Sequence, residues 1–143
     1  TVDNSTLNLQ SNIAGWKGDL LGTLPIISES TALLASINKG TKLAKASTAV
    51  DFLGAIGVAL ATVSLATSVN TSLTAVIAAK HKFDKLKLSP VILVDLDLQK
   101  KATTDMSNAS AAQVPADLKD LAATLVEPIF AAFDKAIDVF NPF

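Results

Sequence analysis

Three side chains able to form hydrogen bonds, Ser30, Thr41 and Gln99, fall on the apolar faces of stretches that read as helices. Hydroxyls and an amide in that setting either satisfy one another or donate to a polar group brought in among hydrocarbon. Each therefore has two readings. Ser30 and Thr41 either bond back to the carbonyl four residues earlier or line a cavity and offer donors to a ligand head group. Gln99 needs partners, because an unpaired buried amide costs a few kcal/mol; a neighbouring serine, a water or a ligand carboxylate would serve. Asp95 projects onto the same arc but sits near its helix start, where a carboxylate is favoured and expected to stay exposed. No lysine points to the centre of an apolar arc on these helices: Lys100 and Lys101 face away, and Lys119 and Lys135 sit at the margins. A ligand carboxylate is thus expected to be held by neutral donors rather than by an ion pair.

Little else in the chain is suited to chemistry. His81 is the one histidine and cysteine is absent, so neither a multi-histidine metal site nor a nucleophile–histidine arrangement can be assembled. In KHKFDK, His81 reads as a solvated residue near a helix C-terminus. The pairs Asp117/Asp120 and Asp134/Asp138 fall on an exposed helix face. The expectation is a protein that is not an enzyme and needs no cofactor or metal. The net charge is −1 and all twelve basic residues are Lys. Without Arg there is no bidentate reader of phosphate or guanine, and nucleic acid is not an expected partner. Asn4, Asn70 and Asn108 open glycosylation sequons; Asn70 is either a glycosylated surface residue or a polar member of a bundle. The chain begins at Thr1 and carries no signal-peptide pattern, as expected of a mature secreted segment.

The elements that must position these residues read as helices throughout, in a chain sized for one domain over residues 1–143. The first helix is expected over 3–16, followed by a glycine-bounded turn, Gly15-Trp16-Lys17-Gly18. The second runs from Thr23 to about Ala46, with Pro25 tolerated in its first turn and Gly40 a point of interruption. Its apolar stripe is Ile26, Ile27, Leu33, Leu34, Ile37 and Ala44. A third helix, capped by Ser47 or Thr48, continues to about Leu86. A fourth, with Ser89 as N-cap and Pro90 first, reaches about Ala109 and turns Val91, Ile92, Leu98, Ala102 and Met106 inward. A fifth spans 116–140, with a broad apolar arc and a kink at Pro128.

The third helix holds no charge from Phe52 to Ala79, long enough to cross a bilayer. Its hydroxyl-rich run from Ser68 to Thr74 and its lysines on both flanks favour instead the central, all-round-packed helix of a soluble bundle. The fold class is all-α: a single-domain bundle of about five helices, monomeric, with an internal apolar cavity.

SLATSVNTSLTAVIAAKHKFDKLKL, the following LDLQKKATTDMSNA, the last-helix opening VPADLKDLAATLVEPIF, the TALLASINKGT segment and the GWKG turn resemble the fungal hydrophobic surface-binding protein and cell-wall galactomannoprotein family. The resemblance implies a secreted or wall-attached helical domain. It also implies a cavity for a long-chain fatty acid such as palmitic or arachidonic acid, and a looser association with hydrophobic surfaces. Inward arcs place Leu33, Leu34 and Ile37, then Leu60, Val63 and Thr67, then Phe130, Phe133 and Ile137 around that cavity, with Ser30, Thr41 and Gln99 at its polar points. The alternative is a surface coat whose amphipathic helices open onto an apolar surface.

Overall fold

The computed structural model describes residues 2–46 and 52–142. Among them are six α-helices and no strand: α1 (Val2–Ala14), α2 (Thr23–Ala46), α3 (Phe52–Ala78), α4 (Lys80–Lys85), α5 (Ser89–Ala111) and α6 (Lys119–Phe140), the last preceded by a 3₁₀ turn, Ala116–Leu118. The all-α expectation holds. The Ser47 or Thr48 cap lies outside the described residues.

Packing fixes the architecture. α1 lies against α2 and α3, α2 against α5, α5 against α6, and α6 against α3. The five long helices therefore close a ring in the order α1–α2–α5–α6–α3. This corrects the expectation of a bundle wrapped around the third helix, because α3 is one stave among five. Its N-terminal half is open to solvent, with Leu60 68% and Val63 50% exposed. The polarity of that open face is handled locally: the hydroxyls of Thr62, Thr67, Thr71 and Thr74 each donate to the carbonyl four residues earlier. The segment Ile56–Ala78 remains long and apolar enough to cross a membrane by length and composition.

A ring of five has a geometric consequence. Helices about 9–10 Å apart at the corners of a pentagon lie about 8 Å from its axis. With helix radii near 5–6 Å including side chains, a channel roughly 2–3 Å in radius is left along the axis. Apart from Phe83 and Phe133, small and medium side chains face it, in keeping with a chain in which aromatics are 5% of residues.

One end of the ring is plugged. The third helix was expected to continue to Leu86, but it ends at Ala78, and the chain turns at Ala79 into the short α4. That turn drives Phe83, fully buried, under the ring. Phe83 meets Trp16 with ring centroids 4.7 Å apart and Phe140 at 6.1 Å; such pairs add about 0.5–1.5 kcal/mol beyond burial. Trp16 is fixed by its indole N–H donating to Asp19 O at 2.9 Å, while Lys82 Nζ donates to Trp16 O at 2.6 Å. Gly18, at φ 86°, makes the left-handed turn that lets the loop return.

Helix boundaries elsewhere follow local chemistry. α2 keeps its expected limits and is not interrupted at Gly40. The N-cap of α5 is Leu88, not Ser89; the Ser89 hydroxyl hydrogen-bonds the Asp84 carboxylate instead. Pro128 sits inside α6 without ending it.

Candidate functional site

The buried faces explain where the ring stays apolar. On α2 they are Thr23, Ile26, Ser30, Leu33, Ile37 and Thr41, at spacings of three or four. On α3 the inward residues are Leu65, Val69, Ser72, Leu73 and Val76, again one stripe. From α5 come Leu96, Gln99 and Thr103, and from α6 Ile129 and Phe133. They enclose a central cavity of about 140 Å³, floored by Phe83. Its most exposed lining residues are Ile27 and Thr31 on α2 and Val91 on α5, so it reaches solvent between those two helices.

Beyond the wall formed by Leu65, Thr103, Met106 and Ile129, a wider groove of about 610 Å³ runs between α3, α5 and α6. Those four residues line both spaces. The inner cavity alone is smaller than the roughly 300–1,000 Å³ usual for ligand pockets, whereas the two spaces together fall within that range.

One polar cluster sits in the cavity wall. The Ser30 hydroxyl donates to Asp95 Oδ2. Gln99 Nε2 donates to Ser30 Oγ at 3.0 Å and to Asp95 Oδ2 at 3.3 Å. Burial pushes the Asp95 carboxyl above the usual range, and the hydrogen bond from Ser30 opposes this in part. Asp95 was expected to be exposed at the helix start. It lies two turns inside α5, four residues before Gln99, and that spacing turns both side chains toward α2.

The remaining expected site residues divide. Leu33, Ile37, Ser30, Gln99 and Phe133 line the inner cavity, and Phe130 lines the outer groove. Thr41 is buried but donates back to Ile37 O at 3.2 Å and lines neither space. Leu34 and Ile137 are half-buried, packed against the core outside both spaces. Leu60, Val63 and Thr67 face solvent, a correction whose cause is the rotation of α3: its buried stripe runs through Leu65, Val69 and Leu73. Val91 and Leu98, expected inward on α5, are 54% and 49% exposed. The neutral donors expected to hold a carboxylate are already engaged, Ser30 and Gln99 by Asp95 and Thr41 by its own helix. Asn4, Asn70 and Asn108 are all exposed, as is His81; Asn70 is therefore a surface residue. Lys100 pairs with Asp134 on the outer surface, and no lysine lines the inner cavity among the described residues.

Five helices closed around an apolar space, with one polar cluster in the wall, define a cavity-bearing helical bundle. Residues 1–112 match the family described as hydrophobic surface binding protein A, and the chain belongs to that family. It is 30% identical over 140 residues to cell wall mannoprotein 1 of Aspergillus fumigatus, covering 98% of this chain and 49% of that protein. The Aspergillus flavus protein of the same name is 26% identical, with 98% and 50% covered. The chain thus spans about half the length of these relatives. Among solved structures, Afmp4p in complex with palmitic acid superposes with a TM-score of 0.94 at 29% identity, over 98% of this chain and 93% of that one. Ligand-binding domain 1 of Penicillium marneffei MP1, complexed with arachidonic acids, gives 0.92 at 16% identity over 98% and 91%. That second likeness shows the fold.

Proposed function

We propose that this chain is a single-domain lipid-binding module of a secreted or cell-wall protein, holding a long-chain fatty acid between its helices and performing no chemistry on it. The observation that carries this reading is the apolar space inside the ring, continued past Met106 by the outer groove. The palmitic acid complex of Afmp4p, a relative of the same fold at 29% identity, supports the ligand class. Asp95 and Met106 are separated by eleven residues of one helix, roughly 16 Å at 1.5 Å per residue, a run suited to a long acyl chain. Each buried methylene contributes about 0.8 kcal/mol, so a sixteen-carbon tail offers on the order of 10 kcal/mol before the cost of association. Asn4, Asn70 and Asn108, all at the surface, are free to carry sugars.

The test is native mass spectrometry of delipidated protein titrated with palmitic acid. A saturable complex of fixed stoichiometry with one chain is expected. A protein that stays empty while adsorbing to apolar beads would overturn the reading in favour of a surface coat. A specific observation favours that coat as a second mode: Leu60 and Val63 on α3, which line neither space, are 68% and 50% exposed.

A further inference from the structure

The cavity's polar cluster is built on a carboxylate, and this restricts what can lie beside it. Asp95 Oδ2 collects hydrogen bonds from both Ser30 and Gln99, so the two neutral donors facing the cavity at this level point at Asp95. A ligand head group arriving there meets an acceptor. We propose that Asp95 is the head-group specificity residue of the cavity, admitting a head that donates a hydrogen bond, a protonated carboxylic acid or a hydroxyl, and refusing an ionised carboxylate. The proposal rests on the fatty-acid reading above and deepens it.

The physical argument is that two carboxylates in an apolar site cannot both ionise: one proton stays between them. Relief from a neighbouring cation would cancel this, and among the described residues no lysine or histidine lines the inner cavity. Among the described residues, Asp95 is the only titratable one lining the inner cavity. On the packed helices the nearest charged groups in sequence to lining residues are Asp3 on α1, Glu29 on α2 and Asp134 on α6. All three are acids, and Asp134 is paired with Lys100 at the surface. α3 has no charged residue along its length; on α4 the lining Phe83 stands between Lys82, whose ammonium donates to Trp16 O, and Asp84, which is bonded by Lys80 and Ser89. On α5 itself, Lys101 is exposed and Lys100 is engaged by Asp134. The raised proton affinity of Asp95 agrees with this isolation. The fatty-acid complex therefore holds one proton, shared between the ligand carboxyl and Asp95. A long-chain alcohol needs no such proton, because its own O–H donates to Asp95.

Radiolabelled palmitic acid and 1-hexadecanol, each kept below its solubility limit, are titrated into delipidated wild-type protein and the Asp95→Asn variant between pH 6.5 and 8.5. In the wild type, affinity for palmitic acid is expected to fall by up to about tenfold per pH unit, the slope for uptake of one proton, while hexadecanol binding stays level. In Asp95→Asn the amide offers a donor to an ionised head, so the palmitic acid slope flattens, affinity at pH 8 rises at least several-fold, and hexadecanol binding weakens. Ser30→Ala is the second variant. It removes the hydrogen bond that favours ionised Asp95, so the fall in palmitic acid affinity should begin at higher pH. Equal palmitic acid profiles in wild type and both variants would overturn the role of Asp95 while leaving fatty-acid binding intact. Failure of the wild type to bind either lipid would instead remove the fatty-acid reading itself.

Discussion

The sulfur of Met106 on α5 occupies space that Gly40 on α2 leaves open: a Cβ at Gly40 would come within 2.9 Å of Met106 Sδ. Met106 is also one of the four residues shared by the inner cavity and the outer groove. The absence of a side chain at Gly40 thus sets how far the thioether stands back from the passage between them. Gly40→Ala gains helix propensity of about 1 kcal/mol and displaces the flexible end of Met106. Thermal stability should change by no more than a few degrees, while affinity for a sixteen-carbon acid falls several-fold. An eight-carbon acid, too short to reach Met106 from Asp95, should bind as before. Equal losses for both chain lengths would mean that the passage is not used.

Filling the cavity should separate its wall from the outer surface of α3. Ile37 is 3% exposed and lines the inner space, whereas Val63 is 50% exposed and lines neither space. Ile37→Trp is expected to abolish lipid uptake with the far-ultraviolet helical signal retained, at an overpacking cost of about 1–3 kcal/mol. Val63→Trp should leave uptake unchanged. Lipid titration alongside circular dichroism checks both.

The two perturbed carboxyls should give opposite pH signatures. Asp84 is held below its ordinary value by hydrogen bonds from Lys80 and Ser89, so its contribution is present above the unfolded value of 3.8 and lost as pH falls. Asp95 is raised by burial. Its contribution is present below 3.8 and lost as pH rises through the folded value. Denaturant midpoints of wild type and Asp95→Asn, compared across pH 3–8, should show the variant gaining relative stability through that rise and levelling off above it. A difference that does not vary with pH would contradict the buried placement of Asp95.

The plug gives a prediction about rigid neighbours. A Cβ on Gly22 would lie 2.7 Å from both Asp19 Oδ1 and Trp16 Cδ1, and the Gly22 N–H donates to Asp19 Oδ2 at 2.9 Å. The indole cannot retreat, because Trp16 is 5% exposed and pressed on Phe83. Gly22→Ala should destabilise the fold by about 1–3 kcal/mol, with a shift in the emission of the single tryptophan. An unchanged unfolding midpoint would mean that the loop relaxes freely.

How far the molecule was legible in its sequence depends on where charge marks the faces. In α6 the acids and lysine oppose a broad apolar arc, and Ile129, Phe133, Ala136 and Phe140 are buried as that arc requires. In α2 the limits Thr23 and Ala46 follow from the turn chemistry before Pro25 and the lysine-bearing end. α3 has no charge to mark its outer face, so Leu60 and Val63 could not be told from Leu65 and Val69 by type. Only the three-and-four spacing through Leu65, Val69, Ser72, Leu73 and Val76 separates them. Asp95 was misplaced because a lone carboxylate near a helix start is ordinarily solvated. The signal against that was its position one turn before Gln99 on the same face, which makes a buried pair if one member is buried. The turn at Ala79 carries neither glycine nor proline, and it is set by the packing of Phe83 rather than by local preference.

The central claim is that an acyl chain lies inside the ring, and isotope-filtered NOE spectroscopy with uniformly ¹³C-labelled palmitic acid measures this most directly. Contacts from the chain to side-chain protons of Ile37, Leu73, Met106 and Ile129 are the expected result, with the carboxyl end nearest Thr31 and Asp95. Contacts confined to Leu60, Val63 and Thr67, which line neither space, would place the lipid on the outer face of α3 and contradict the claim.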